Sequence, residues 1–180
     1  MQPMMKKVFY FLFCLIGLSA CSSENVVLDS LRVYDVANSA CKTNLSAVET
    51  RNDFYAADYA KPATFSVELG KDGTAQCLLE DVKANCSVRK IHVDVVNRDS
   101  QIDLIVYHKP LDAAANCLCD FDVKFKMSKL SPGKYNLNVY YASPNMKYSE
   151  STTAYKGQIE LLRNKKVSVT FKPELVVPEN

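Results

Sequence analysis

The stretch that decides the fold is residues 120–141, which read DFDVKFKMSKLSPGKYNLNVYY. Its first half alternates apolar and polar side chains, and its second half does the same after a short break. The apolar rows are Phe121, Val123, Phe125 and Met127 in the first half, and Tyr135, Leu137, Val139 and Tyr141 in the second. Because successive side chains of a strand point to opposite faces, this period of two predicts two half-buried β-strands.

The break between these two strands carries turn chemistry. It reads Leu130-Ser131-Pro132-Gly133-Lys134-Tyr135, in which Ser131-Pro132-Gly133 suits a type II turn. The spelling resembles the L-x-P-G-x-Y entry of fibronectin-type and immunoglobulin-like domains, where the tyrosine hydroxyl bonds back to the preceding turn. Pro132, Gly133 and Tyr135 are therefore the predicted corner residues. The alternative is that Tyr135 only begins a strand, with its ring in the core.

Outward from this stretch, the chain from about Asp29 onward is predicted as strands separated by turn residues. The further strand candidates are Leu31–Val36, Thr64–Leu69, Thr74–Leu79, Ile91–Val95, Ile102–Tyr107, Gln158–Leu162 and Val167–Phe171. Strands at spacings of about 8–12 residues predict an antiparallel β-sandwich or barrel. The resemblance at Leu130–Tyr135 then implies an all-β, immunoglobulin- or fibronectin-like antiparallel β-sandwich. One short helix is predicted near residues 46–59, because Ser46-Ala47-Val48-Glu49 spells a capping box.

Composition and length describe one ordinary globular domain. The chain has 180 residues, 48% of them apolar, with 22 Lys and Arg against 20 Asp and Glu. Without Lys6 and Lys7, which belong to the export signal described below, 20 basic side chains face 20 acidic ones. This balance gives no charge excess that would attract nucleic acid. The predicted sandwich covers residues 29–172 as a single domain, and residues 173–180 form a loose tail.

The first 21 residues predict export and lipid anchoring. Two lysines precede the apolar run Val8–Gly17, which is too short to span a bilayer. Leu18-Ser19-Ala20-Cys21 then resembles the bacterial lipobox, in which the cysteine is acylated and becomes the new N-terminus. Residues 1–20 are therefore the predicted lipoprotein signal peptide, Cys21 is the predicted lipidation site, and residues 21–28 form the acylated tether.

The residue after Cys21 predicts the membrane. Inner-membrane retention signals of the enterobacterial type place Asp at this position, whereas this chain has Ser22. The sequence therefore favours a lipid anchor in the bacterial outer membrane. It leaves open whether the protein faces the periplasm or the cell surface.

Two sequence blocks resemble a group of small Bacteroidetes outer-membrane lipoproteins with an immunoglobulin-like β-sandwich. The first block, Gly73–Cys86, corresponds to G-T-L-x-I-x-H-x-N-V-x-x-N-C. The second, Cys117–Phe125 with Leu130–Tyr135, corresponds to C-x-C-x-Y-D-h-x-F and L-x-x-G-x-Y, where h is apolar. The chain departs from the first pattern at Cys77, which replaces an apolar residue, and at Leu79, which replaces a histidine. The resemblance implies the fold and the location, and it implies no catalytic chemistry.

The cysteines predict two disulfides and one free thiol. Of seven cysteines, Cys14 lies in the signal and Cys21 carries lipid, so an odd number remains. Cys77 is the predicted free thiol, because it stands in an apolar row and takes an apolar position of the resembling pattern. The predicted disulfide partners are Cys41, Cys86, Cys117 and Cys119.

The sandwich topology restricts how these four cysteines pair. Cys86 lies just before the strand at Ile91–Val95, and the hairpin that follows returns the chain to the same end of the sheet. Cys117 and Cys119 then begin the next strand near Cys86, but they are too far apart on one strand to bond each other. We expect Cys86 to join Cys117 or Cys119, with Cys117 favoured, and Cys41 to join the other.

No pattern predicts a metal site, a cofactor or a nucleophile. Cys117-Leu118-Cys119 has C-x-C spacing, one residue shorter than the zinc-type C-x2-C, and an oxidising envelope favours disulfides. The two histidines are distant in sequence: His92 is predicted to point outward from a strand, and His108 to lie at a strand end.

The carboxylates Asp120 and Asp122 are the remaining candidates for catalysis. On one strand face they lie about 7 Å apart, which is compatible with a glycosidase pair. Lys124 and Lys126 continue the same row, however, and a solvated, charge-balanced face is the favoured interpretation. We therefore expect a protein that is not an enzyme and has no catalytic residues.

Binding is the class of function that remains. We expect an envelope lipoprotein that acts as a binding or assembly module for a protein partner, through the loops or an edge strand of the sandwich. One alternative is a glycan-binding accessory lipoprotein, with Tyr140, Tyr148 and Tyr155 as an aromatic platform. The other is an immunoglobulin-like protease inhibitor. The expected contacts are the membrane through the lipid anchor, a protein in the envelope and, under the first alternative, a glycan.

Overall fold

The computed structural model describes residues 31–42, 61–111, 113, 115, 117–142 and 147–171. Within these ranges the chain forms nine β-strands and a short 3₁₀ helix, Glu150–Thr152. The strands are β1 (Arg32–Asn38), β2 (Ala63–Leu69), β3 (Ala75–Asn85), β4 (Ile91–Arg98), β5 (Gln101–His108), β6 (Leu118–Ser128), β7 (Gly133–Tyr141), β8 (Thr153–Leu161) and β9 (Lys166–Phe171). Each predicted strand overlaps one of them. The predicted signal, tether, helix at 46–59 and tail from residue 173 lie outside the described residues.

The strands form two sheets, with the orders β1-β6-β3-β2-β9 and β4-β5-β7-β8. The predicted all-β sandwich is therefore confirmed. Described strand pairs are antiparallel except β5 with β7, which makes the second sheet mixed rather than purely antiparallel. The parallel pair arises because the chain leaves the second sheet after β5 and passes through β6. It then re-enters beside β5, running in the direction that β5 had.

The core lies between the inward rows of the two sheets. From the first sheet, Phe65 and Phe125 stack with their ring centroids 6.3 Å apart. From the second sheet, Leu104, Leu137 and Val139 are fully buried. Burying a side chain of this size stabilises the fold by roughly 1.5–3 kcal/mol, so the alternating rows seen in the sequence hold the sheets together.

A β-bulge divides β3 into two halves. Leu79 pairs with Val123 and Val82 with Phe121, so two residues of β3 face a single residue of β6. One of these two residues of β3 is Asp81, which adopts a left-handed conformation with φ of 60°. The bulge returns Val82 to the core side, and the strand continues to Asn85, beyond the predicted end at Leu79.

The predicted corner forms at Tyr135, although not through the expected turn. The Tyr135 hydroxyl donates a hydrogen bond to the Ser131 carbonyl at 2.8 Å, while its ring is buried. Gly133 is extended and pairs with Leu161 on β8, and the left-handed residue is instead Lys129, with φ of 64°. The predicted type II turn with Gly133 at its left-handed position is therefore wrong, because the β7–β8 ladder already includes Gly133.

Two disulfides join residues near the ends of β1, β3 and β6 in the first sheet. Cys86 is bonded to Cys117 with a Cα–Cα distance of 5.7 Å, and Cys41 to Cys119 with 5.3 Å. This is the pairing that the sequence favours. Cys77 is a free, buried thiol. Burial raises the pKa of this thiol, so it stays protonated and packs as an apolar group.

Candidate functional site

The edge strands lie on two sides of the sandwich, and these sides differ in how their edge strands are protected from further pairing. β1 and β4 form one side, and asparagine side chains connect them. Asn97 accepts a hydrogen bond from the Leu31 N–H at 3.2 Å, and Asn38 accepts one from the Ile91 N–H at 3.2 Å. β1 is also irregular, since its pairing with β6 shifts register where Asp35 has φ of 54°. This side is therefore closed to a further strand by bulge and side-chain bonds.

The opposite side is formed by β8 and β9. β8 is irregular at its start, where its register with β7 shifts beside Tyr140. Its Tyr155 ring packs on Phe171 of β9, with the centroids 5.9 Å apart, and this contact fills the gap between the sheets. β9 pairs with β2 without any irregularity over its six residues.

Backbone hydrogen bonds at the end of β2 and just before β9 show which backbone groups of β9 point away from β2. The Asn164 N–H bonds the Leu69 carbonyl at 2.7 Å, and the Gly70 N–H bonds the Thr74 carbonyl at 2.8 Å. Leu69 therefore points its backbone groups toward β9, and Gly70 points toward β3. Antiparallel strands alternate in this respect, so Val67 and Phe65 also point toward β9.

The register then assigns the two edges of β9. Val167 and Val169, opposite Val67 and Phe65, bond β2 with their N–H and C=O groups. The N–H and C=O groups of Lys166, Ser168 and Thr170 point away from β2, and we call this set the β9 edge. No strand within the described ranges pairs with the β9 edge.

The β9 edge lacks the features that usually protect an edge strand. β9 contains no proline and no bulge, and its single charged side chain is Lys166 at its first position. Its inward side chains Val167 and Val169 are only half-buried. A further strand would cover these valines while pairing with the outward backbone groups, which is the geometry of β-strand addition.

The predicted carboxylate pair belongs to a network of ion pairs. Asp120 accepts from Lys83 at 2.8 Å, and Asp122 accepts from Lys42 at 2.7 Å. The bulge residue Asp81 also accepts from Lys42, at 2.6 Å. The partners are thus lysines that sequence reasoning did not single out, and not Lys124 or Lys126 of the same row. The face is charge-balanced as expected, with partners supplied by neighbouring segments. The expectation that it is solvated is wrong at Asp120, which is buried together with Lys83.

The same network shifts pKa values. Burial raises the pKa of Asp81, but hydrogen bonds and charge from Lys42 and Lys61 outweigh burial and hold this pKa below its usual value. Burial also opposes the charge of Lys42, yet Asp122 and Asp81 raise its pKa above the ordinary value. Both groups are therefore ionised over the whole neutral range, so neither is suited to exchange protons in a reaction.

The two histidines have separate environments. His92 stacks on Tyr107 with the ring centroids 5.1 Å apart. Burial, together with the charges of Lys90 and Lys109, lowers the pKa of His92. His108 donates from Nδ1 to the Lys109 carbonyl at 2.8 Å. Each histidine is thus held by its own strand neighbourhood, and no group of three or more His, Cys, Asp or Glu in the described ranges could hold a metal ion.

The tyrosines predicted as an aromatic platform do not form one. Tyr140 and Tyr148 are in contact at 5.0 Å, but their rings are tilted by 46°. Tyr155 lies against Phe171 instead. The prediction is wrong for Tyr155 because its side chain follows the inward row of β8, opposite Val139, whereas Tyr140 points outward.

The fold and its edges define a small disulfide-bonded β-sandwich with one open, regular edge strand. A scan against protein-family models and searches of curated proteins and of solved structures found no match to the chain. No helix within the described ranges is long and apolar enough to cross a membrane. The sequence could not identify the β9 edge, because strand order decides which strand lies at an edge.

Proposed function

We propose that the protein is a non-enzymatic lipoprotein of the bacterial outer membrane that binds an extended segment of another envelope protein. The segment adds to the sheet β1-β6-β3-β2-β9 as a sixth strand, beside β9. The observation that carries this proposal is the β9 edge, with its outward N–H and C=O groups at Lys166, Ser168 and Thr170. Backbone pairing supplies the affinity, and the half-buried valines of β9 select apolar side chains at alternate positions of the segment.

The lipid anchor places this edge in the envelope. Cys21 is the acylated residue under this proposal. Ten residue steps separate it from Leu31, the first residue that the structure describes. An extended chain of that length spans at most ~36 Å. The sandwich therefore stays close to the membrane surface, within reach of proteins embedded in it.

The polar groups of the molecule support a binding function rather than catalysis. The carboxylates of Asp81, Asp120 and Asp122 are each bound to lysine ammonium groups. A nucleophile would need a neighbouring base. The two histidines instead make structural contacts: His92 stacks on Tyr107, and His108 donates a hydrogen bond to the Lys109 carbonyl.

A proline substitution tests the proposal. Ser168→Pro removes one outward N–H, and it removes no bond to β2 because that N–H does not belong to the β2–β9 ladder. Ser168→Ala is the matched control. Both variants lose the hydrogen bond between the Ser168 and Ser66 hydroxyls, at 2.8 Å, but only the proline loses the N–H.

The readout is capture of partners from outer membranes by the acylated, full-length protein. We expect one protein to be captured by the wild type and by Ser168→Ala, and to be lost with Ser168→Pro. Thermal unfolding of both variants establishes that each is folded. Equal capture by the two variants would contradict binding through the β9 edge.

A further inference from the structure

The outer face of the five-stranded sheet contains an open groove of about 410 Å³. This size falls in the range of roughly 300–1,000 Å³ that is usual for sites of small ligands. All five strands of this sheet contribute to its lining, which includes Asp35, Ser66, Glu68, Gln76, Lys124 and Lys166. The groove faces away from the core, so its side chains contribute little to holding the two sheets together.

The groove runs across the strands. Lys166, Glu68, Gln76 and Lys126 are successive cross-strand partners on β9, β2, β3 and β6. Four strands at a spacing of ~4.8 Å make this row about 14 Å long. A parallel row of partners consists of Ser168, Ser66, Leu78 and Lys124. The last three of these residues line the groove.

Small side chains make the depression and long ones form its walls. Ser66 and Ser168 are joined by a hydroxyl–hydroxyl bond of 2.8 Å, and Ser66 is only 3% exposed at the bottom of the groove. Lysine side chains extend above this level from β6 and β9. The short serines therefore leave space between longer neighbours.

Two ammonium groups in the groove have no ion-pair partner within the described part of the chain. Lys126 is paired with Asp35 at 2.8 Å. Lys124 and Lys166 form no ion pair among the described residues, although Lys166 lies across the ladder from Glu68. The groove thus offers two cations outside the ion pairs of the described residues, Lys124 on β6 and Lys166 on β9, together with the Gln76 amide. Its three lysines outnumber its two carboxylates, Asp35 and Glu68, by one.

From these observations we propose that the groove binds an oligosaccharide that carries carboxylate groups. Lys124 and Lys166 bind the carboxylates, and Gln76 and Glu68 bind sugar hydroxyls. Tyr34, which is 37% exposed, lies at the end of the row beside Lys126, with the ammonium 5.9 Å from the ring centroid. Its ring provides a face on which the C–H groups of a terminal sugar can stack.

The direction of the groove favours a saccharide over an acidic peptide. A peptide gains much of its affinity by adding its backbone to a strand, and this requires a path along the strand edge. Between its ends the groove crosses β2, β3 and β6, whose backbone groups are already paired with a strand on each side. Its ligand must therefore be recognised through side chains, by charges and hydroxyl groups.

Titration calorimetry of the full-length protein in detergent tests this proposal. The probe is a trimer of galacturonic acid, and its fully methyl-esterified form is the matched neutral sugar. We expect the acid to bind at least about tenfold more tightly than the ester, because only the acid can form charge-assisted hydrogen bonds with the lysines. A poly-aspartate peptide of the same charge is the comparison for an acidic peptide.

A double variant identifies the groove as the site. Lys124→Gln with Lys166→Gln should weaken binding of the trimer about tenfold or more. Lys156→Gln, an exposed lysine on the other sheet, should leave it unchanged. Any of four results would overturn the proposal: no binding of the trimer, equal binding of acid and ester, tighter binding of poly-aspartate, or unchanged binding in the double variant.

Discussion

Two buried tyrosine hydroxyls on β7 differ in whether an acceptor lies within reach. The Tyr135 hydroxyl donates to the Ser131 carbonyl at 2.8 Å. The Tyr141 hydroxyl is buried and has no hydrogen-bond partner among the residues that the structure describes. A buried polar group without a partner has lost its bonds to water and gained nothing in exchange. The same chemical group should therefore stabilise the fold at one position and destabilise it at the other.

Removing the two hydroxyls in turn should change stability in opposite directions. Tyr135→Phe loses a hydrogen bond, so the free energy of unfolding should fall by about 1 kcal/mol. Tyr141→Phe removes only the unpaired hydroxyl, and its stability should equal or exceed that of the wild type. Urea unfolding of both variants measures the difference. A similar loss in both would mean that the corner hydrogen bond contributes nothing of its own.

In the ion-pair network, the burial of each pair determines how much stability should be lost when the pair is broken. Lys83 has a side chain 3% exposed and bonds Asp120 at 2.8 Å. Lys83→Met removes the closest ion-pair partner of the buried Asp120, whose distance to Lys61 is 3.9 Å, and should destabilise the fold by about 3 kcal/mol. Lys126→Met is the control, because its partner Asp35 is largely exposed, and it should cost less than about 1 kcal/mol.

Adding Asp120→Leu to the Lys83 variant separates charge from packing. The double variant has no buried charge left at this pair, and most of the lost stability should return. If the double variant is no more stable than Lys83→Met in urea unfolding, the loss comes from packing of the lysine side chain and the electrostatic explanation fails.

Among the elements, the strands are where sequence reasoning succeeded best. A period of two located all nine, because each has one face on the core and one away from it. It failed at Asp81, where the bulge shifts the phase of β3 and the alternation no longer continues past Leu79. It also placed the left-handed turn residue at Gly133 instead of Lys129, since the demands of the β7–β8 ladder are not visible locally.

The two disulfides should stabilise the fold by closing long loops of the chain, and the state of each cysteine can be tested chemically. Closing the Cys41–Cys119 and Cys86–Cys117 loops, with separations of 78 and 31 residues, is worth about 4 kcal/mol each in the chain-entropy model. Peptide mapping without reduction should recover both pairs from the mature protein. A thiol reagent should label Cys77 in denatured protein but not in native protein. A Cys41–Cys86 peptide, or rapid native labelling of Cys77, would contradict the fold.

For the whole molecule, the sequence predicted more of the fold than of the site. The corner at Tyr135 and the cysteine partners could be read from local patterns. The β9 edge could not, because β9 looks like any other alternating strand until the order of the sheet is known. The lysine partners of Asp120 and Asp122 were missed for the same reason: Lys42 and Lys83 are distant in sequence and meet the carboxylates only in the folded sheet.

The proposed lipid anchor depends on one residue, Cys21. Cys21→Ser should abolish acylation, because the side-chain sulfur of Cys21 is the proposed lipid attachment point. Two or three acyl chains hold a protein firmly at a membrane, so this variant should move from the membrane fraction to the soluble fraction. Labelling with radioactive palmitate measures the change directly. Persistent label in the Cys21→Ser variant would show that the lipobox interpretation is wrong.

Amide hydrogen exchange of β9 tests strand addition most directly. In the protein alone, the amides of Ser168 and Thr170 should exchange fast, while those of Val167 and Val169 should be protected by their bonds to β2. In the complex isolated from outer membranes, the Ser168 and Thr170 amides should become protected as well. Amides of Ser168 and Thr170 that are slow in the protein alone, or equally fast in the complex, would contradict binding through the β9 edge.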